Sequence, residues 1–174
     1  MFMANMNVKA QCEPGWTQVS QLLNYNGCSI LYIYCYGMLN GYHCMSLVSI
    51  NVISSTIPPC DGSVYDNNKE EINDIILAKI GEYLESVNFF GEPIPECPAG
   101  MVCLLVISDA ICYNGWSENS GIYFMNRCDN VRRSCNSTLT YCYEWVNGVK
   151  VYRVTRAGSM IGPPCPKNCS SSCK

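Results

Sequence analysis

Fourteen cysteines in 174 residues restrict this chain more than any other feature of its sequence. They are Cys12, Cys28, Cys35, Cys44, Cys60, Cys97, Cys103, Cys112, Cys128, Cys135, Cys142, Cys165, Cys169 and Cys173, an even set scattered over nearly the whole length. Reducing compartments keep thiols free and make such density a liability, whereas oxidising ones turn it into cross-links. Zinc is the competing use, and structural zinc sites pair ligands about two to four residues apart and share the work with histidine. This chain has no C-x-x-C and one histidine, His43; only the tail Cys165-x3-Cys169-x3-Cys173 has a metal-like rhythm. The cysteines therefore read as disulfide partners, with no metal and no cofactor, in a secreted or cell-surface protein.

The remaining composition agrees with export. Hydrophobic residues make up 48% and mean hydropathy is +0.03, enough for a packed core. Charged residues reach only 14%, against roughly 25% in an average soluble domain. The net charge of −3 leaves no footprint for nucleic acid. Arg127, Arg132 and Arg133 form a local cluster that reads as a solvated loop. No run reaches the roughly 18 apolar residues that a membrane span requires. Val8-Lys9-Ala10 before Gln11 resembles the small-residue end of a secretory signal. Residues 1–10 are accordingly expected to be a remnant of a signal-peptide region, although Met1 to Met6 is too short to supply the basic start and apolar stretch that such a signal carries.

The chain resembles itself. Cys28-Ser-Ile-Leu-Tyr-Ile-Tyr-Cys35-Tyr36 is matched by Cys135-Asn-Ser-Thr-Leu-Thr-Tyr-Cys142-Tyr143. Each is followed by Asn-Gly, at Asn40-Gly41 and Asn147-Gly148, and each block closes on Pro-Pro-Cys, at Cys60 and Cys165. A rival alignment pairs Cys12, Gly15, Trp16 and Cys28 with Cys112, Gly115, Trp116 and Cys128. The first is preferred because its identities include turn residues as well as cysteines.

Both copies read as β-hairpins, since Asn and Gly tolerate the positive φ of a tight type I′ turn. The second would pair Val146 with Val149 and Tyr143 with Tyr152, with Leu139, Tyr141, Tyr143, Trp145, Lys150, Tyr152 and Val154 on one face. The first would pair Leu39 with Tyr42 and align Tyr32, Tyr34 and Tyr36; both faces of that strand are apolar, which suits an inner position in a sheet. Between the hairpins, Ile72, Ile75, Ile76, Ile80, Tyr83, Leu84 and Val87 follow helical spacing over about 69–87. Asn68 and Glu71 form a capping-box-like pair at its start. A further apolar run, Met101 to Cys112, suits a strand deep in the sheet. The expected fold is α+β: a mainly antiparallel sheet from two related hairpin halves (about 12–60 and 112–165), one amphipathic helix packed on it, and multiple disulfides. It forms a single domain over 11–174.

The Cys-x-Pro-Gly-Trp opening (Cys12 to Trp16), the Tyr-Cys-Tyr strands and the Gly-Pro-Pro-Cys-Pro tail (Gly162 to Pro166) resemble an uncharacterised family of exported, cysteine-rich bacterial proteins. The resemblance implies export and brings no activity with it.

No catalytic constellation stands out. His43 has no G-x-S-x-G beside it and reads as a turn-flanking surface residue. Asp61, Asp66, Asp109, Glu118 and Asp129 could supply a hydrolytic carboxylate pair, but spacing alone shows no convergence. Asp61 to Asn68 lacks EF-hand ligand spacing and reads as a connector. Tyr141, Tyr143, Trp145 and Tyr152 are either the core side of a hairpin or a binding face for protein or carbohydrate. The expected function is a non-catalytic module with a structural, adhesive or binding role. A secreted carboxylate-dependent hydrolase is the alternative.

Overall fold

A computed structural model describes residues 12–110, 112–129, 131 and 133–171. The expected signal remnant, Arg132 and Cys173 lie outside them. Strands β1 (Thr17–Tyr25), β2 (Cys28–Leu39) and β3 (Tyr42–Ile53) form an antiparallel meander. A two-strand clip, β4 (Ser55–Thr56) and β5 (Pro59–Cys60), leads into helices α1 (Gly62–Asn67) and α2 (Lys69–Ser86). Then come β6 (Val102–Ala110), β7 (Cys112–Asn119), β8 (Ile122–Arg127), β9 (Arg133–Val146), β10 (Val149–Ile161) and the short β11 (Ser170–Ser171).

The sheet is mainly antiparallel and forks at β3. One edge of β3 pairs with β2 along most of its length. The other edge pairs with β6, in parallel, only at Cys44↔Leu105 and Met45↔Val106. It then pairs with β8 only at Val52↔Tyr123 and Ile53↔Ile122. One branch continues from β6 to β9 and β10, and the other from β8 to β7 and β11.

Tight turns set these registers. Asn147 (φ 51°) and Gly148 (φ 76°) join β9 to β10, pairing Val146 with Val149 and Tyr143 with Tyr152. Asn40 and Gly41 do the same for Leu39 and Tyr42. Asn26 and Gly27 form a third such turn, between β1 and β2.

Helix α2 lies on one sheet face. It buries Ile72, Ile76, Ile80 and Leu84 against Tyr32, Tyr34, Met45, Leu104, Leu139 and Tyr141. The expected periodicity holds through Leu84, while Val87 lies beyond the helix and is exposed. The capping expectation fails. Asn68 also ends α1, so its side-chain amide donates to the Val64 carbonyl instead of accepting from the first turn of α2. Glu71 is drawn away as well, accepting from the Tyr25 hydroxyl at 2.6 Å. The expected connector at Asp61 to Asn68 contains α1, whose start is capped where Asp61 accepts from the Ser63 N–H at 2.8 Å.

Five disulfides join described residues: Cys12–Cys35, Cys28–Cys60, Cys97–Cys142, Cys112–Cys165 and Cys128–Cys169. Cys135 is disulfide-bonded too. They tie the ends and connectors to the strands: Cys12 to β2, Cys60 to the start of β2, and Cys97 to β9. Cys44 and Cys103 depart from the expectation that every cysteine is paired, because both are thiols. The reason is register: Cys44 lies opposite Leu105, two residues along β6 from Cys103. The two hairpins also carry different bonds, since Cys28 joins Cys60 but Cys165 joins Cys112.

Candidate functional site

The fork leaves an opening in the sheet. Between Met45, where β3 leaves β6, and Val52, where it meets β8, the residues Ser46 to Asn51 have no hydrogen-bonded strand on that edge among the described residues. Such an edge presents backbone N–H and C=O groups ready for another strand. All of these residues line a cleft of about 850 Å3. Val106 and Ile107 of β6 form one wall, and Phe124, Met125 and Arg127 of β8 the other. Asn73, Ile76 and Leu77 of α2, Tyr65 of α1 and Arg156 of β10 also line it, as do Cys12, Glu13, Pro14 and Trp16. The register slips between Ile33 and Tyr34, which face Ser49 and Leu47, so Val48 is an extra residue. A bulge bends and twists its strand, and this one lies where β3 passes from one branch to the other.

Polar groups in the cleft are held in place. Asn51 is only 3% exposed, and its amide donates to Ser49 Oγ at 3.1 Å. The Tyr65 hydroxyl donates to Asn73 Oδ1 at 3.0 Å, and burial pushes its pKa up to about 12. Burial also draws the Arg156 guanidinium below its ordinary value, against the opposing pull of Tyr65. Among the described lining residues Glu13 is the one carboxylate.

The acidic residues singled out in the sequence have other tasks. Asp61 caps α1. Asp66 accepts from the Tyr113 hydroxyl at 3.1 Å and from Trp116 Nε1 at 2.9 Å, clamping α1 to β7. Asp129 accepts from the Val131 N–H, and Glu118 is exposed on β7. Asp109 lies on β6. His43 packs edge-on against Phe89 and Phe90, with ring centres 4.9 and 5.6 Å away. It flanks its turn as expected, but these rings half-bury it where a surface position was expected.

The aromatic face divides. Tyr141 is fully buried, and its hydroxyl donates to the Leu77 carbonyl at 3.2 Å. Tyr143 and Tyr152 are half-buried around Lys150, whose Nζ lies 4.3 and 4.9 Å from their ring centres. Trp145, stacked edge-on at 5.9 Å from Tyr143, remains 58% exposed. The four side chains therefore form no continuous exposed platform, because helix α2 covers the inner part of that face.

Sequence reading missed the residues Ser46 to Asn51. A faint signal was available: Ser46, Ser49 and Asn51 interrupt an apolar strand, and Asn is poorly suited to strand interiors. Comparison of the chain with known protein families, with characterised proteins and with solved structures gives no match, so the cleft is defined by its own geometry.

Proposed function

We propose that this protein is a secreted or cell-surface, non-catalytic binding module that receives an extended polypeptide segment in the cleft beside β3. The observation that carries the reading is the unpaired edge of Ser46 to Asn51 along an opening of about 850 Å3. Peptides that add to a sheet edge gain affinity from main-chain hydrogen bonds and specificity from pockets for alternate side chains. The walls supply apolar contacts through Ile107, Phe124 and Met125, and Arg127 adds a positive group. The Cys12–Cys35 disulfide lines the opening, and a cross-link that fixes a site before binding lowers the ordering cost. The cysteine usage and the resemblance to exported bacterial proteins support the extracellular location.

An array of synthetic ten-residue peptides of random sequence provides the test. The oxidised protein should bind a subset sharing an alternating pattern. Ser46→Trp, which fills the cleft, should weaken binding at least tenfold, while Leu22→Ser on exposed β1 should leave it unchanged. Equal binding by parent and Ser46→Trp would place recognition elsewhere.

A further inference from the structure

We infer that Cys44 and Cys103 are a redox-active pair that closes into a further disulfide across the β3–β6 junction. Eleven other cysteines are oxidised, so these two are the exceptions among the described residues. They occupy adjacent strands. Cys44 lies opposite Leu105, and paired residues in a parallel ladder share a face; Cys103, two positions before Leu105, shares it as well. Cys103 is exposed and Cys44 is buried. Burial raises the pKa of the Cys44 thiol, which keeps it protonated and unreactive until a partner sulfur arrives.

Strand geometry sets what closure requires. Strands lie about 4.8 Å apart and rise about 3.3 Å per residue, so a two-residue offset puts the Cα atoms about 8 Å apart. Disulfides need roughly 4.4–6.8 Å. Closing the bond must therefore draw β6 along β3 by about 2–4 Å. Only two ladder pairs, Cys44↔Leu105 and Met45↔Val106, hydrogen-bond the strands there, so few backbone bonds oppose that movement. Met45, Ser46, Val106 and Ile107 continue from it directly into the cleft, so the bond would reshape that opening. This consequence rests on the binding reading above, whereas the bond itself does not.

The chemistry is thiol–disulfide exchange with a low-molecular-weight disulfide, RSSR. The exposed Cys103 thiolate attacks RSSR, forming a mixed disulfide and releasing one RSH. Cys44 then loses its proton and attacks the Cys103 sulfur, releasing the second RSH. Two protein thiols are oxidised to one bond, and one RSSR is reduced to two RSH.

Treating the full chain with oxidised glutathione and mapping its bonds after non-reducing digestion tests the inference. The expected result is loss of the Cys44 and Cys103 thiols, with a Cys44–Cys103 peptide from a monomeric protein. Cys44→Ser should instead leave a stable glutathione adduct on Cys103. A lasting adduct on the parent's Cys103, an untouched Cys44, or a Cys103-linked dimer through the face that also exposes Met101 and Ile107 would each overturn it. Peptide binding measured before and after oxidation reads the cleft separately.

Discussion

Gly81 of α2 rests directly on the ring of Tyr141: a Cβ at position 81 would lie 2.5 Å from Tyr141 Cε1. That contact seats the helix on the branch of the sheet carrying β6, β9 and β10, and the Tyr141 hydroxyl reaches the Leu77 carbonyl one turn earlier. Both atoms are buried in the core, so neither the ring nor the helix can retreat without opening a void. Gly81→Ala should cost about 1–3 kcal/mol, the usual range for overpacking. Alanine is the better helix former by about 1 kcal/mol, so a stabilised variant in chemical denaturation would show that the helix sits further from the sheet.

Glu85 couples the same helix to the second hairpin. Its carboxylate accepts from Lys150 Nζ at 2.6 Å, from the Ile94 N–H at 2.8 Å and from the Tyr152 hydroxyl. Burial alone would raise its pKa, but these partners outweigh burial and hold it below the ordinary 4.5. A carboxylate depressed in the folded state contributes fully above its unfolded value and loses that contribution as pH falls. Stability should therefore decline from about pH 4.5 downward, and Glu85→Gln should flatten that limb. At neutral pH the substitution should cost roughly 1.5–3 kcal/mol, as for hydrogen bonds to a charged group. Thermal melts of both proteins across the acid range check this; parallel pH profiles would assign the acid limb to other groups.

Ile76→Asp would place an unpaired charge where Ile76 is buried under the sheet. The expected loss is several kcal/mol, at the upper end for single substitutions. Circular dichroism and a melting curve suffice to see it. A melting temperature equal to the parent's would mean that α2 is peripheral.

The Asn147-Gly148 turn should fix the β9–β10 register. Both residues have positive φ, so Gly148→Val should cost on the order of 1–3 kcal/mol. A one-residue slip would carry Cys142 to the opposite face, away from Cys97, and raise the fraction of free or mispaired thiols. Lys150→Gln keeps the turn and should leave the disulfide map unchanged. A native map and unchanged melting for Gly148→Val would show that the turn does not set the register.

What the sequence made legible was local. Asn-Gly turns determine their own register, so the pairings of Leu39 with Tyr42 and Val146 with Val149 could be read residue by residue. The helix was legible because Ile72, Ile76 and Ile80 repeat at its period. Asn26-Gly27 carries the same turn signal between two strands and was readable on the same grounds. The fork of the sheet was not legible. It depends on β3 leaving β6 after Met45 and meeting β8 at Val52, contacts remote in sequence that no local pattern encodes. Which of the two readings held for Tyr141, core side or binding face, was not legible for a similar reason: a strand pattern identifies a face but not what covers it.

The central claim is that the free edge of β3 receives a peptide strand, and backbone hydrogen exchange reads this directly. A peptide selected from the array should be added to the oxidised protein, and exchange followed across the chain. Strand addition predicts that the amides within Ser46 to Asn51 become slower to exchange by tenfold or more, with little change around Trp145. Slowing confined to Tyr143, Trp145 and Tyr152, with the 46–51 amides unaltered, would contradict it.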